Sequence, residues 1–79
     1  MIRVLLFADL EEKAGEREIT ITNEQELTVL EIKDYLLEKY PKLSSIHSAM
    51  PAVNEEYADD SLRVKNNDTV AFIPPVSGG

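Results

Sequence analysis

Residues 2–8 read Ile-Arg-Val-Leu-Leu-Phe-Ala, a β-favouring run so dense in apolar side chains that it predicts a central strand with neighbours on both faces. Asp9 stands three residues before Glu12 and Gly15 follows, which predicts one capped helical turn closed by glycine. Residues 17–22 alternate, with Ile19 and Ile21 inward and Glu18, Thr20 and Thr22 outward, so the second strand has one solvated face. Thr28 and Glu31 form a capping box, and Leu27 and Ile32 occupy the positions of a hydrophobic staple; a helix is predicted to start there. Val29, Ile32, Leu36 and Tyr40 recur at helical spacing, and Pro41 ends the helix because its ring disfavours helical geometry at Tyr40.

Past Pro41 the pattern dissolves over residues 42–50. A short strand is expected at 51–54, an acidic turn at 57–60, a brief edge strand at Leu62 and Val64, and a turn at 65–68 in which Asn67 tolerates left-handed geometry. Residues 69–73 make the last strand, which Pro74 and Pro75 end because neither donates a ladder hydrogen bond. Alternation places Val4, Leu6, Val70 and Phe72 on the core face, and Leu5, Phe7, Ala71 and Ile73 on the other. That outer set is too apolar for a solvated face, so Phe7 and Ile73, with Tyr57 near them, are candidates for a partner-binding patch.

The element order is an α+β pattern. A first hairpin, one helix crossing a face and a last strand returning beside the first describe a mixed β-grasp sheet, although periodicity alone also allows a ferredoxin-like or other small α+β roll. Residues 1–73 are expected to form the domain and 74–79 an extended C-terminal tail.

With 79 residues there is room for a single core, one that buries roughly 63% of the unfolded surface. Fifteen acidic against eight basic side chains leave a net charge of −7, a field that repels phosphate backbones and anionic membranes, so neither nucleic acid nor membrane is an expected partner. Zero cysteines exclude disulfides, thiol nucleophiles and Cys-based zinc sites; a cytoplasmic location is expected. The apolar start lacks the basic flank and cleavage motif of a signal peptide, and no run approaches the ~20 residues of a membrane span.

Candidate chemistry within the domain is sparse. His47 has no second histidine and reads as a surface residue, and no metal site is expected. Glu55 with Glu56 and Asp59 with Asp60 read as solvated bends, because adjacent side chains on a strand or turn point apart. Ser44, Ser45, Ser48 and Ser61 have no positioned base, and glycine occurs only at 15, 78 and 79, so no phosphate cradle exists. The tail differs. Pro74 and Pro75 pre-extend it, Val76 adds an apolar anchor beside Ser77, and Gly78 and Gly79 carry no side chains. Such a segment can thread a narrow channel and present its own α-carboxylate.

The ending Ile-Pro-Pro-Val-Ser-Gly-Gly, preceded by residues 68–72 (Asp-Thr-Val-Ala-Phe), resembles the MoaD-like family of ubiquitin-like sulfur carriers, the small subunits of molybdopterin synthase. Val-Leu-Leu-Phe-Ala at 4–8 with Gly15, and Ala-Val-Asn at 52–54 with Tyr57, extend the likeness over nearly the whole chain. Glu11 departs from an arginine frequent in the family, and Asn66-Asn67 from an Asp-Gly turn. The resemblance implies a β-grasp fold with no active site and no bound cofactor of its own. It implies that an E1-like enzyme uses ATP to adenylate Gly79 and that a sulfur donor protein supplies the sulfur. Gly79 then carries it as a thiocarboxylate into the synthase large subunit, in a heterotetramer, to build the dithiolene on a cyclic pyranopterin phosphate. A thiamine-pathway carrier, a ubiquitin-like protein modifier and a plain interaction domain are the alternatives.

Overall fold

Strand β1 (Ile2–Leu6) buries Ile2, Val4 and Leu6 completely or nearly so, as its alternation requires, and leaves Leu5 half-buried on the reverse face. The computed structural model describes residues 1–22 and 25–74. β1 leads into helix α1 (Asp9–Ala14), which ends at Gly15 in left-handed geometry with φ 78°. Its start differs from expectation. Asp9 is already inside the helix, the N-cap is Ala8, and no side chain caps it; the Asp9 carboxylate instead faces Lys13 Nζ at 3.5 Å, one turn on. Glu11, at the departure noted above, pairs with Arg17 Nε at 3.0 Å.

Strand β2 (Glu18–Ile21) pairs antiparallel with β1 and buries Ile19 and Ile21. A two-residue strand, β3 (Leu27–Thr28), leads directly into helix α2 (Val29–Lys39). The capping box is present in full: Glu31 N–H donates to Thr28 Oγ1 at 3.1 Å, and Thr28 N–H donates to Glu31 Oε1 at 2.9 Å. The helix stops with Tyr40 as C-cap, one residue before Pro41.

Residues 42–50, where periodicity shows nothing, contain a 3₁₀ helix (Ser44–Ser48) that sends Leu43 and Ile46 fully into the core. β4 (Met50–Val53) turns back through Asn54 and Glu55 into β5 (Glu56–Tyr57), so the stretch expected as an acidic bend is a hairpin. The expected edge strand is β6 (Arg63–Val64), but it pairs with β3 in a separate two-stranded sheet; Val64 is buried and Leu62 exposed. Asp59 and Asp60 are also more than a solvated bend. Asp59 accepts from Ser61 N–H and Oγ, at 3.0 and 2.6 Å, while Asp60 lies 2.9 Å from the ammonium of Lys33, a lysine only 3% exposed. Helical periodicity does not mark Lys33 as buried.

β7 (Thr69–Ile73) completes the sheet in the order β2-β1-β7-β4-β5, lying parallel to β1 and antiparallel to β4. The central parallel pair and the single long helix identify the ubiquitin-like β-grasp and dispose of the ferredoxin-like alternative. Pro51 is tolerated inside the sheet because its carbonyl accepts from Ala58 N–H at 3.0 Å, which aims its donorless nitrogen toward the short β5 side.

Three segments meet at Asp68. Its Oδ2 accepts from Lys65 N–H at 2.8 Å and its Oδ1 from Asn54 Nδ2 at 3.0 Å, while Asn54 Oδ1 accepts from Thr69 N–H at 3.0 Å. The Lys65 backbone bond, then the Asn54 bond, hold the Asp68 carboxyl below the usual carboxylate range. Native Asp68 therefore ionises more readily than in the unfolded chain. Its contribution is complete above about pH 4 and is lost as pH falls through the lowered native value. Asp68→Asn is expected to lower the melting temperature at about pH 7 and to lose part of that deficit in acid; an equal deficit at both pH values would remove Asp68 from the pH dependence.

Candidate functional site

The face of the sheet away from α2 follows from strand register. Leu5 pairs with Ala71, Ala71 with Ala52, and Ala52 with Tyr57, so these four side chains form one row across β1, β7, β4 and β5. Met50 pairs with Ile73 in the next row, and one step beyond the last β1–β7 pair, Leu6 with Phe72, Phe7 comes beside Ile73. Phe7 is 41% exposed, Met50 47% and Tyr57 72%, with Ile73 half-buried. The outer face thus carries all three residues expected to form a patch. Tyr57 lies three strands from Leu5, about 14 Å at the usual strand spacing, so the patch spans the sheet rather than clustering at one edge.

Leu5 lies on this surface as alternation predicts, and Met50 joins it although the sequence reading does not name it. Burial along residues 50–53 does not alternate, since Ala52 is buried as well as Pro51 and Val53; it is pairing with Ile73, while Pro51 and Val53 pair with the core residues Phe72 and Val70, that marks Met50 as outward. Ala52 and Ala71 give the row a low middle, between Leu5 and Phe7 on one flank and Asn54 and Glu55 on the other. The result is a depression of about 580 Å³. Leu5, Phe7 and two alanine methyls make its middle apolar, with Arg3, Asn54, Glu55 and Thr69 at its rim, so it suits a protruding apolar side chain flanked by polar groups.

A second depression, of about 370 Å³, lies at the other end of β1 and β7 among Met1, Arg3, Glu18 and Asp68. Its charges are already engaged: Arg3 Nε is 3.7 Å from Glu18 Oε2, the terminal ammonium donates to Asn66 Oδ1 at 3.0 Å, and Asp68 is held as described. It also lies at the end of the parallel pair opposite the one where β7 ends at Ile73.

Within the domain, His47 is exposed and its Nε2 lies 3.6 Å from Asp34 Oδ1, a surface pair. Ser61 is engaged with Asp59, and the Ser45 hydroxyl is buried without a hydrogen-bond partner among the described residues. No cluster of three or more potential metal ligands occurs among the described residues. No helix among them is long and apolar enough to cross a membrane. Tyr40 donates its hydroxyl to Glu16 Oε2 at 2.6 Å, and that bond raises its pKa.

The tail leaves from the most central position the sheet offers. β7 is flanked by β1 and β4, and it ends at Ile73 on the same outer face as Phe7. Pro74 is half-buried; Pro75, Val76, Ser77, Gly78 and Gly79 lie outside the described residues.

A profile of the ThiS family matches residues 4–79. The molybdopterin synthase sulfur carrier subunit of Arabidopsis thaliana is 40% identical over 79 residues, covering 99% of this chain and 82% of that protein. Its Homo sapiens counterpart is 34% identical over 82 residues, covering 99% and 93%. Among solved structures, SAMP1 from Haloferax volcanii, a small archaeal modifier protein, superposes with a TM-score of 0.86 at 31% identity, covering 99% of this chain and 98% of its own.

Proposed function

This chain belongs to the ThiS family, and from that membership we propose that it is the sulfur carrier subunit of molybdopterin synthase. The observation that carries the reading is its full-length identity of 34–40% to proteins named for that role. The residues supply the chemistry. A carboxylate is a poor electrophile, so activation must precede sulfur transfer. The Gly79 carboxylate attacks the α-phosphate of ATP on an E1-like activating enzyme, pyrophosphate leaves, and an acyl-adenylate forms. Sulfur from a donor protein, delivered at the oxidation level of sulfide, displaces AMP and leaves a C-terminal thiocarboxylate.

That thiocarboxylate is a polarisable nucleophile on a tail whose last two residues have no side chains, suited to a narrow pocket in a larger synthase subunit. Placement there supplies the effective molarity for attack on a cyclic pyranopterin phosphate. Each carrier delivers one sulfur and a dithiolene needs two, which fits two carriers with two large subunits in a heterotetramer. The outer face, with Phe7, Ile73 and Tyr57, docks that subunit while the tail reaches its pocket. A thiamine-pathway role would use the same Gly-Gly ending; the relatives' role in molybdopterin synthesis favours the other branch.

The intact mass of the chain co-expressed with its activating enzyme and a sulfur source tests the proposal. One sulfur-for-oxygen exchange located on Gly79 is the expected result. Sulfur elsewhere, or none with a competent activator, would sink it.

The likeness to SAMP1 favours a second use of the same activated terminus, in which a lysine amine rather than sulfur displaces AMP and an isopeptide bond forms. Conjugates that survive denaturing electrophoresis would reveal it.

A further inference from the structure

Four non-glycine residues among those described have positive φ: Ala8, Asn54, Glu55 and Asn67. The two asparagines need no special account, since asparagine tolerates left-handed geometry. Asn54 is further held by its bonds to Asp68 and Thr69. Ala8 and Glu55 are different. Ala8 lies at φ 53°, ψ −128°, and Leu10 N–H donates to the Phe7 carbonyl at 3.1 Å across it. These are the marks of a type II′ turn with Ala8 at the first central position, which glycine normally occupies. Glu55, at φ 72°, is the second residue of the two-residue loop joining β4 to β5, the place where a type I′ hairpin favours glycine. The chain does use glycine where left-handed backbone is needed elsewhere, at Gly15.

Nothing among the described residues offsets these two choices. The Ala8 methyl is exposed and stands outside the core cluster; Glu55 is exposed, and among the described residues its carboxylate makes no hydrogen bond or ion pair. Both border the same surface. Ala8 follows Phe7 directly, and Glu55 lines the outer depression opposite Leu5 and Phe7. Strained backbone with no internal compensation is commonly found where a ligand or partner makes use of the side chain.

We propose that the docking surface for the larger synthase subunit extends past the apolar rows onto Ala8 and Glu55. The Ala8 methyl packs against an apolar part of that subunit, and the Glu55 carboxylate meets a basic side chain on it. A carrier of net charge −7 favours such a basic partner surface. The inference rests on the outer face being the docking face, and the test separates the two.

Ala8→Gly, Glu55→Gly and Phe7→Glu are made in the full chain, and each is measured for melting temperature and for affinity to the purified large subunit. Ala8→Gly is expected to melt about 4 °C higher as the strain is relieved, yet to bind about four-fold more weakly for the lost methyl contact. Glu55→Gly is expected to combine higher stability with weaker binding and a shallower dependence on salt. Opposite signs are the signature, because a residue of purely structural importance moves both quantities together. If Phe7→Glu weakens the complex while both glycine variants bind as the parent does, or lose stability and affinity together, the inference is overturned and the docking face stands. If Phe7→Glu binds normally, the docking face itself is wrong and the extension falls with it.

Discussion

Removing Gly79 is expected to abolish sulfur transfer and to leave the melting temperature unchanged. The deletion draws the reactive carbon back by up to ~3.6 Å along an extended chain. A misplacement of about 1 Å can already cost on the order of 100-fold in rate, so single-turnover sulfur transfer with purified partners should fall by at least that factor. The domain should not notice. Among the described residues, Phe72 is the last of the buried core cluster and strand pairing ends at Ile73. Normal molybdopterin formation by the shortened chain would move the protein into the plain-interaction class, because no side chain here can carry sulfur by a thiol route.

Phe7→Glu is expected to leave the free domain folded and to weaken the synthase complex about 30-fold or more. That factor corresponds to the ~2 kcal/mol of an aromatic interface anchor at 1.36 kcal/mol per decade. Phe7 is 41% exposed and outside the core cluster, so the free domain loses little with it. In a docked complex the new carboxylate would face the alanine-floored depression and whatever apolar group fills it, an unfavourable burial of charge. Circular dichroism and the melting curve of the free variant provide the control. Global unfolding would place Phe7 in the core, contrary to its exposure.

Both expectations draw on features written in short stretches of the chain. The face assignments of Val4, Leu6, Val70 and Phe72 follow from a period of two, and all four are fully buried. Thr28 and Glu31 mark a helix start that the structure reproduces atom by atom, and Pro41 marks its end. Asn67 adopts the left-handed turn expected of it, at φ 76°. Where period fails, so does legibility. Leu43 and Ile46 reach the core from a 3₁₀ turn too short to show a repeat, and Lys33 is buried because Asp60, far along the chain, neutralises its ammonium. Spacing points to Asp9 as the cap of α1, but it cannot reveal that Ala8 adopts a glycine-type turn and takes the cap position itself.

By itself, the sequence determined the strand faces, the limits of the long helix and the lack of any thiol, along with the Gly-Gly ending on which the proposed chemistry depends. These are properties of neighbouring residues, set by backbone sterics and by the periods of strand and helix. Only the tertiary structure decided which strands lie side by side. The parallel pairing of β1 with β7 brings Phe7 next to Ile73, and the β4–β5 hairpin adds Tyr57 and Glu55 to the same face. That surface joins residues from both ends of the chain, and its register is set by the shared burial of side chains on the opposite face rather than by any local signal.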